Sequence, residues 1–141
     1  MRRIYAAVFA IIMPGLGQIY NGQILKGFAY LIIEHVVNTL ARINQSIYLD
    51  FNGLHAEALQ NVNYQFALFY PGIYIIGILD AYRNAVKDVP PAPAVDPYFI
   101  AAGFLGTVSV IYPRFLPFPL LLGGGAIIVP ILIGVWIHRK T

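Results

Sequence analysis

The chain has no cysteine, little charge and only two serines. Without cysteine there can be no disulfide, iron–sulfur cluster or thiolate zinc site, and the compartment stays open. Charged residues make up 11% of the 141, where a soluble domain carries about 25%. That is too few to coat a surface against water, whereas a bilayer asks for no charged coat. Ser46 and Ser109 lie in no nucleophile phrase, and no lysine is placed for a serine–lysine dyad. His35, His55 and His138 show no ligand spacing, and a His-Glu-x-x-His phrase is missing. No catalytic residue, metal ligand or cofactor is assigned. The net charge of +3 and pI near 9.3 come from basic residues flanking apolar runs. Such residues suit lipid head groups, so the expected partner is a bilayer and not nucleic acid.

What the chain does have is long apolar segments. A spanning helix needs about 20 residues, and candidates run over about 4–20, 24–41, 64–82, 98–112 and 120–137. The runs are uniformly apolar and do not alternate, which argues against a β-barrel. The predicted fold class is all-α: a polytopic helical membrane protein with about five spans. It has four if the short 98–112 segment or the proline-broken first one is re-entrant. Residues 43–63 read as a polar interval, within which "LHAEALQNV" suits a turn or two of interfacial helix. The prolines of 86–97 predict an extended, polyproline-like path. The expected organisation is a three-helix unit over 1–86, a linker over 87–97 and a helical hairpin over 98–141. Pro71 and Pro130 predict kinks, Gly123–Gly125 close helix approach, and Tyr112 and Trp136 interfacial anchoring.

Five spans put Lys26, Arg83, Lys87, Arg139 and Lys140 on one side and Arg2, Arg3, Arg42 and Arg114 on the other. That barely decides orientation; the acidic 43–63 interval, read as external, favours the N-terminus outside. The basic start and short apolar core also resemble a secretory signal with a Gly15-x-Gly17 cleavage site, a reading that Pro14 disfavours.

The most unusual stretch is "IIMPGLGQIYNGQILKG". Pro14 removes a backbone donor, and Gly15, Gly17 and Gly22 permit tight turning. Gln18, Asn21 and Gln23 can satisfy the freed backbone groups, Tyr20 suits the interface and Lys26 can reach head groups. The segment therefore reads as a structural hairpin, with a ligand site at a broken helix as the sharper alternative. It is not a phosphate-binding loop, because Gly-Lys-Ser/Thr is missing. Later, Asp80 and Arg83 share a helix face and form a candidate latch, with Asp80 free to meet Lys26, Gln18 or Tyr20. Along 24–41 a step of four links Lys26, Tyr30, Glu34, Asn38 and Arg42 into a slanting seam. Glu34 and His35, with Asn38, are intramembrane polar candidates: either interhelical bonds or a proton-responsive Glu34–His35 pair.

"PGLGQIYNGQILKG" followed by "GILDAYRNA" resembles a family of small bacterial multi-pass membrane proteins related to the TM2 domain. The phrase "PGLGQ-Y" also resembles the front of some signal-peptidase-like membrane proteins. The TM2-like resemblance covers about 10–86 and implies a membrane unit without assigning an activity. The expected function is a scaffold or accessory subunit, with other membrane proteins or further copies of itself as candidate partners. The alternative is a transporter or channel component lined by Glu34, His35, Asp80 and Lys26.

Overall fold

A computed structural model describes residues 1–87, 89 and 93–139. They form helices joined by short turns, with no strand among the described residues. In order they are α1 (Arg2–Ile12), α2 (Leu16–Tyr20), α3 (Ile24–Ala41), α4 (Ile43–Phe51), α5 (His55–Asn61), α6 (Tyr64–Ala67), α7 (Tyr70–Arg83), α8 (Asp96–Ile111) and α9 (Pro119–Ile137).

The expected first span is not one continuous helix. Met13 is extended, as a residue before proline prefers, and Gly15 takes φ 108°. The chain doubles back there. Gly17 in α2 seats against α1, where a Cβ would lie 2.3 Å from the Ala6 carbonyl. Tyr20 returns to the level of Phe9 and Arg2, with ring centroids 5.1 Å apart and the Arg2 guanidinium 6.0 Å from the Tyr20 ring. At 1.5 Å per residue α1 is about 16 Å long, roughly half a hydrocarbon core. So α1 and α2 form a helical hairpin that leaves by the end at which it began.

The longer helices α3, α7, α8 and α9 run along the bundle. α3 is antiparallel to α7: Lys26 meets Asp80 near one end and Glu34 meets Tyr70 toward the other. α8 and α9 pair antiparallel, with Gly106 against Ile127 and Gly134 against Tyr98. α4 and α5 cover the far end, and α5 meets the run Tyr64–Arg83 at an 82° bend. Three stretches, Ile24–Ala41, Pro93–Ile111 and Pro119–Ile137, are long and apolar enough to cross a membrane, and a fourth is added if that bent pair is one span.

One apolar core joins residues before and after the proline-rich stretch: Ala6 and Ala10 of α1, Ile78 and Tyr82 of α7, Phe99 of α8 and Ile131 of α9. Small side chains bring these helices close. A smaller cluster holds Ala41, Ile43 and Ala67. Outside, large apolar side chains are exposed on every long helix, including Leu25, Phe28 and Ile32 on α3, Ile100 and Phe104 on α8, and Val129 and Trp136 on α9. A water-soluble surface seldom carries so continuous an apolar coat.

Several local expectations change. The polar interval contains a second helix, α4, as well as α5. Pro71 sits in the first turn of α7, where its missing N–H costs nothing, and not at mid-helix. α9 is helical through Gly123–Gly125 and Pro130; of the three glycines only Gly123 closely faces a neighbour, Ser109, and Gly124 and Gly125 face open space. Of the linker, Asp88, Pro90, Pro91 and Ala92 lie outside the described residues. Pro93–Val95 form a 3-10 turn leading directly into α8, so that part is helical and not extended.

Candidate functional site

The polar side chains gather at three places. The first is the end of the bundle holding Asp80. Lys26 Nζ lies 2.5 Å from Asp80 Oδ1. Gln18 Nε2 donates to Asp80 Oδ2 at 2.9 Å and to the Gly77 carbonyl at 2.8 Å. Asn21 Nδ2 donates to the Ala81 carbonyl at 2.8 Å, and Asn84 Nδ2 to Asp80 Oδ1 at 2.9 Å. The glycine-rich corner thereby presents its amides to the C-terminal half of α7, and the Ala81 carbonyl that Asn21 reaches is one of the last four, which lack intrahelical donors. Gln18 is fully buried, Pro14 is among the fully buried side chains, and Gly22 turns at φ 81° into open space. Gly15 sits where a Cβ would come 2.4 Å from the Gly27 carbonyl. Of the three expected neighbours of Asp80, Lys26 and Gln18 reach it; Tyr20 instead packs on Phe9 and under Arg2.

Arg83 does not join Asp80. Its Nη2 donates to Asp96 Oδ1 at 2.7 Å, tying the end of α7 to the start of α8. Arg3, read from sequence as a flanking cation, is buried. It donates to the carbonyls of Tyr82 and Arg83 at 3.3 and 3.2 Å and also to that of Val89. A cation on the C-terminal carbonyls of a helix satisfies orphan acceptors and opposes the negative end of the helix dipole.

The second place is midway along α3. Glu34 is buried, and its Oε1 accepts from Asn38 Nδ2 and from the Tyr70 hydroxyl, both at 3.0 Å. Among the described residues no cation lies within 4.0 Å of it. Asn38 also exchanges bonds with Asn44: its Nδ2 donates to Asn44 Oδ1 at 3.0 Å, and its Oδ1 accepts from Asn44 N at 3.2 Å. This pair braces the corner at Arg42, which has φ 60°. The slanting seam of α3 thus faces α7 through Lys26, Tyr30 and Glu34. His35 does not pair with Glu34. Successive helix residues point about 100° apart, and His35 is exposed on the outer face with no hydrogen-bond or charge partner among the described residues.

The third place, at the opposite end, was not anticipated. Asp50 of α4 is buried, and its Oδ2 accepts from the Leu120 and Leu121 amides at 2.9 and 3.1 Å. Its Oδ1 lies 2.6 Å from His55 Nδ1. Pro119 starts α9, and the next two N–H groups are orphans of its first turn; a carboxylate there satisfies both and complements the dipole. His55 packs edge-on to Phe118, with centroids 5.0 Å apart. Asn61 donates to the buried Ser46 hydroxyl at 3.0 Å, and Ser109 donates to the Leu105 carbonyl at 2.7 Å, so both serines are held within the bundle. One signal was available in sequence. Ile43, Ser46 and Asp50 recur at helical spacing, which would place Asp50 on a buried face of α4.

Among the described residues, no group of three or more metal-ligating side chains could hold an ion. No protein-family model matches the chain, and neither a curated protein nor a solved structure shows significant similarity to it.

Proposed function

We propose that this chain is a small multi-pass membrane protein of TM2-like kinship that serves, without enzymatic activity of its own, as a scaffold or accessory subunit of a membrane assembly. The observation that carries the reading is how its polar groups are used. Gln18, Asn21, Lys26 and Asp80 fasten one end, Asp50 and His55 the other, while the outward surface stays apolar. Such a body offers side chains to lipid and to neighbouring helices, where packing and interhelical bonds drive association. In the bilayer it crosses four times, with α1–α2 as a re-entrant hairpin whose irregular corner is buried in protein, as membrane depth requires. The Asp80 end then carries Arg2, Arg3, Lys26, Arg83, Lys87 and Arg139, and the Asp50 end only Arg42 and Arg114. By the positive-inside rule the Asp80 end is cytoplasmic, as are both described ends of the chain. This replaces the orientation favoured by a five-span count. Native mass spectrometry from mild detergent tests the reading: a stable hetero-partner is expected, and a purely monomeric protein at all detergent levels contradicts it.

A second reading rests on Glu34. A carboxylate at this depth with only neutral donors is a functional hypothesis in its own right. As part of a transporter or channel it would carry protons along α3. Proton flux in liposomes that disappears in Glu34→Gln favours this reading, and no flux in the native protein removes it.

A further inference from the structure

At the Asp80 end, the start of α1 and the end of α9 enclose a cleft of about 230 Å³ whose lining includes Arg2, Arg3 and Arg139. No carboxylate lines it among the described residues. Of the described carboxylates at this end, Asp80 pairs with Lys26 and Asp96 with Arg83. Arg3 is buried, and its acceptors are neutral carbonyls, with no ion-pair partner among the described residues. Arg2 and Arg139 lie over the rings of Tyr20 and Trp136, at 6.0 and 4.7 Å. These aromatic faces hold the two guanidinium groups without neutralising them. Three like charges around one concavity repel, and what would relieve them is an anion. Guanidinium is the cation best shaped for phosphate, which it grips through paired N–H donors. The remaining lining includes Ile4, Val86 and Val89. Apolar side chains beside three guanidinium groups suit a molecule that joins a phosphate to hydrocarbon.

We propose that this cleft binds the phosphate of an anionic phospholipid, drawn from the same leaflet as the Asp80 end. The proposal rests on the membrane reading above and goes beyond it by naming a ligand class. Juxtamembrane cations attract anionic lipid at about fivefold in affinity for each Arg near the surface.

Trp136 is the only tryptophan, and its ring carries the guanidinium of Arg139, a cleft-lining residue, so its fluorescence reports on lipid gathered beside that arginine. The full chain, in nanodiscs of unbrominated zwitterionic lipid, is doped with brominated phosphatidylglycerol or with brominated phosphatidylcholine. Anionic lipid should quench Trp136 at a severalfold lower mole fraction than zwitterionic lipid. Arg2→Gln, an exposed change that leaves the buried Arg3 contacts in place, should reduce the preference about fivefold; Arg2→Lys should retain most of it. Arg114→Gln, at the opposite end, should leave it unchanged. Equal quenching by the two lipids overturns the proposal while leaving the membrane reading intact. Quenching by neither overturns the membrane reading as well. Loss of the preference on adding millimolar inorganic phosphate assigns the cleft to a soluble anion and overturns the lipid.

Discussion

The two ends of the bundle are each fastened by an aspartate, and they are fastened differently. Asp80 keeps 18% of its side chain exposed and binds side chains: Lys26, Gln18 and Asn84. Asp50 is wholly enclosed, 0% exposed, and binds two main-chain amides and an imidazole. The first closure shares its work among three side chains, of which Lys26 and Asn84 reach solvent and Gln18 is buried. The second concentrates on one carboxylate that, if removed, leaves buried donors stranded. Leaving a buried donor unpaired costs more than the net gain of an average hydrogen bond, so the Asp50 end should be the less tolerant of change.

The largest effect that would break this comparison lies beside Asp80 in the seat of the hairpin. Gly17→Leu must place its Cβ within 2.3 Å of the Ala6 carbonyl and 2.6 Å of Ala81 Cβ. The hairpin then cannot close, and accumulation in the membrane should collapse. Even Gly17→Ala should cost about 1–3 kcal/mol. Gly22→Ala, strained at φ 81° but facing open space, should cost only about 1 kcal/mol. Thermal unfolding in detergent ranks the three.

Next in size, Asp50→Ala should lower stability by roughly 2–4 kcal/mol, the sum of a lost helix cap and stranded donors. Asp50→Asn should recover part of it, because an amide oxygen still accepts from Leu120 or Leu121. At the other end, Asp80→Ala should cost about 1–3 kcal/mol, since Gln18 keeps its bond to Gly77. Lys26→Ala should cost under about 1 kcal/mol, because the lysine is 44% exposed and its ion pair is screened. An Asp50→Ala no worse than Lys26→Ala would erase the distinction between the ends.

The smallest effects fall between the two ends. His35→Ala, on the outer face, should change stability by less than about 0.5 kcal/mol. Glu34→Gln should remain within about 1 kcal/mol, because the new amide oxygen can accept from Tyr70 and Asn38 as before. A collapse of Glu34→Gln would show the carboxylate charge to be structural.

The same contrast explains what could be read in advance. The contact of Asp80 with Lys26 and Gln18 was legible because every partner is a side chain in a recognisable phrase. Asp50 was not, because its partners are the backbone of Leu120 and Leu121, and any residue there supplies an N–H. The all-helical class followed from uniform apolar runs, and the second run matches α3 closely. The first run was open to two readings. Its composition suits a span and Pro14 a re-entrant turn, and the joint action of extended Met13, Pro14 and Gly15 at φ 108° turns the chain back. Arg83 was placed on the face of Asp80 by spacing alone, but Asp96, thirteen residues on, competes for it. His35 was linked to Glu34 by adjacency, which on a helix separates side chains instead of joining them.

The central claim is that α1–α2 enters and leaves at one end of the bundle. The absence of cysteine makes the direct test clean. Single cysteines at Arg2, Lys87 and Asn52 can be probed in oriented vesicles with a membrane-impermeant maleimide. The account predicts that Arg2→Cys and Lys87→Cys react from the cytoplasmic side and Asn52→Cys from the opposite one. If Arg2→Cys reacts from the side opposite Lys87→Cys, the first segment crosses the bilayer and the hairpin account is wrong.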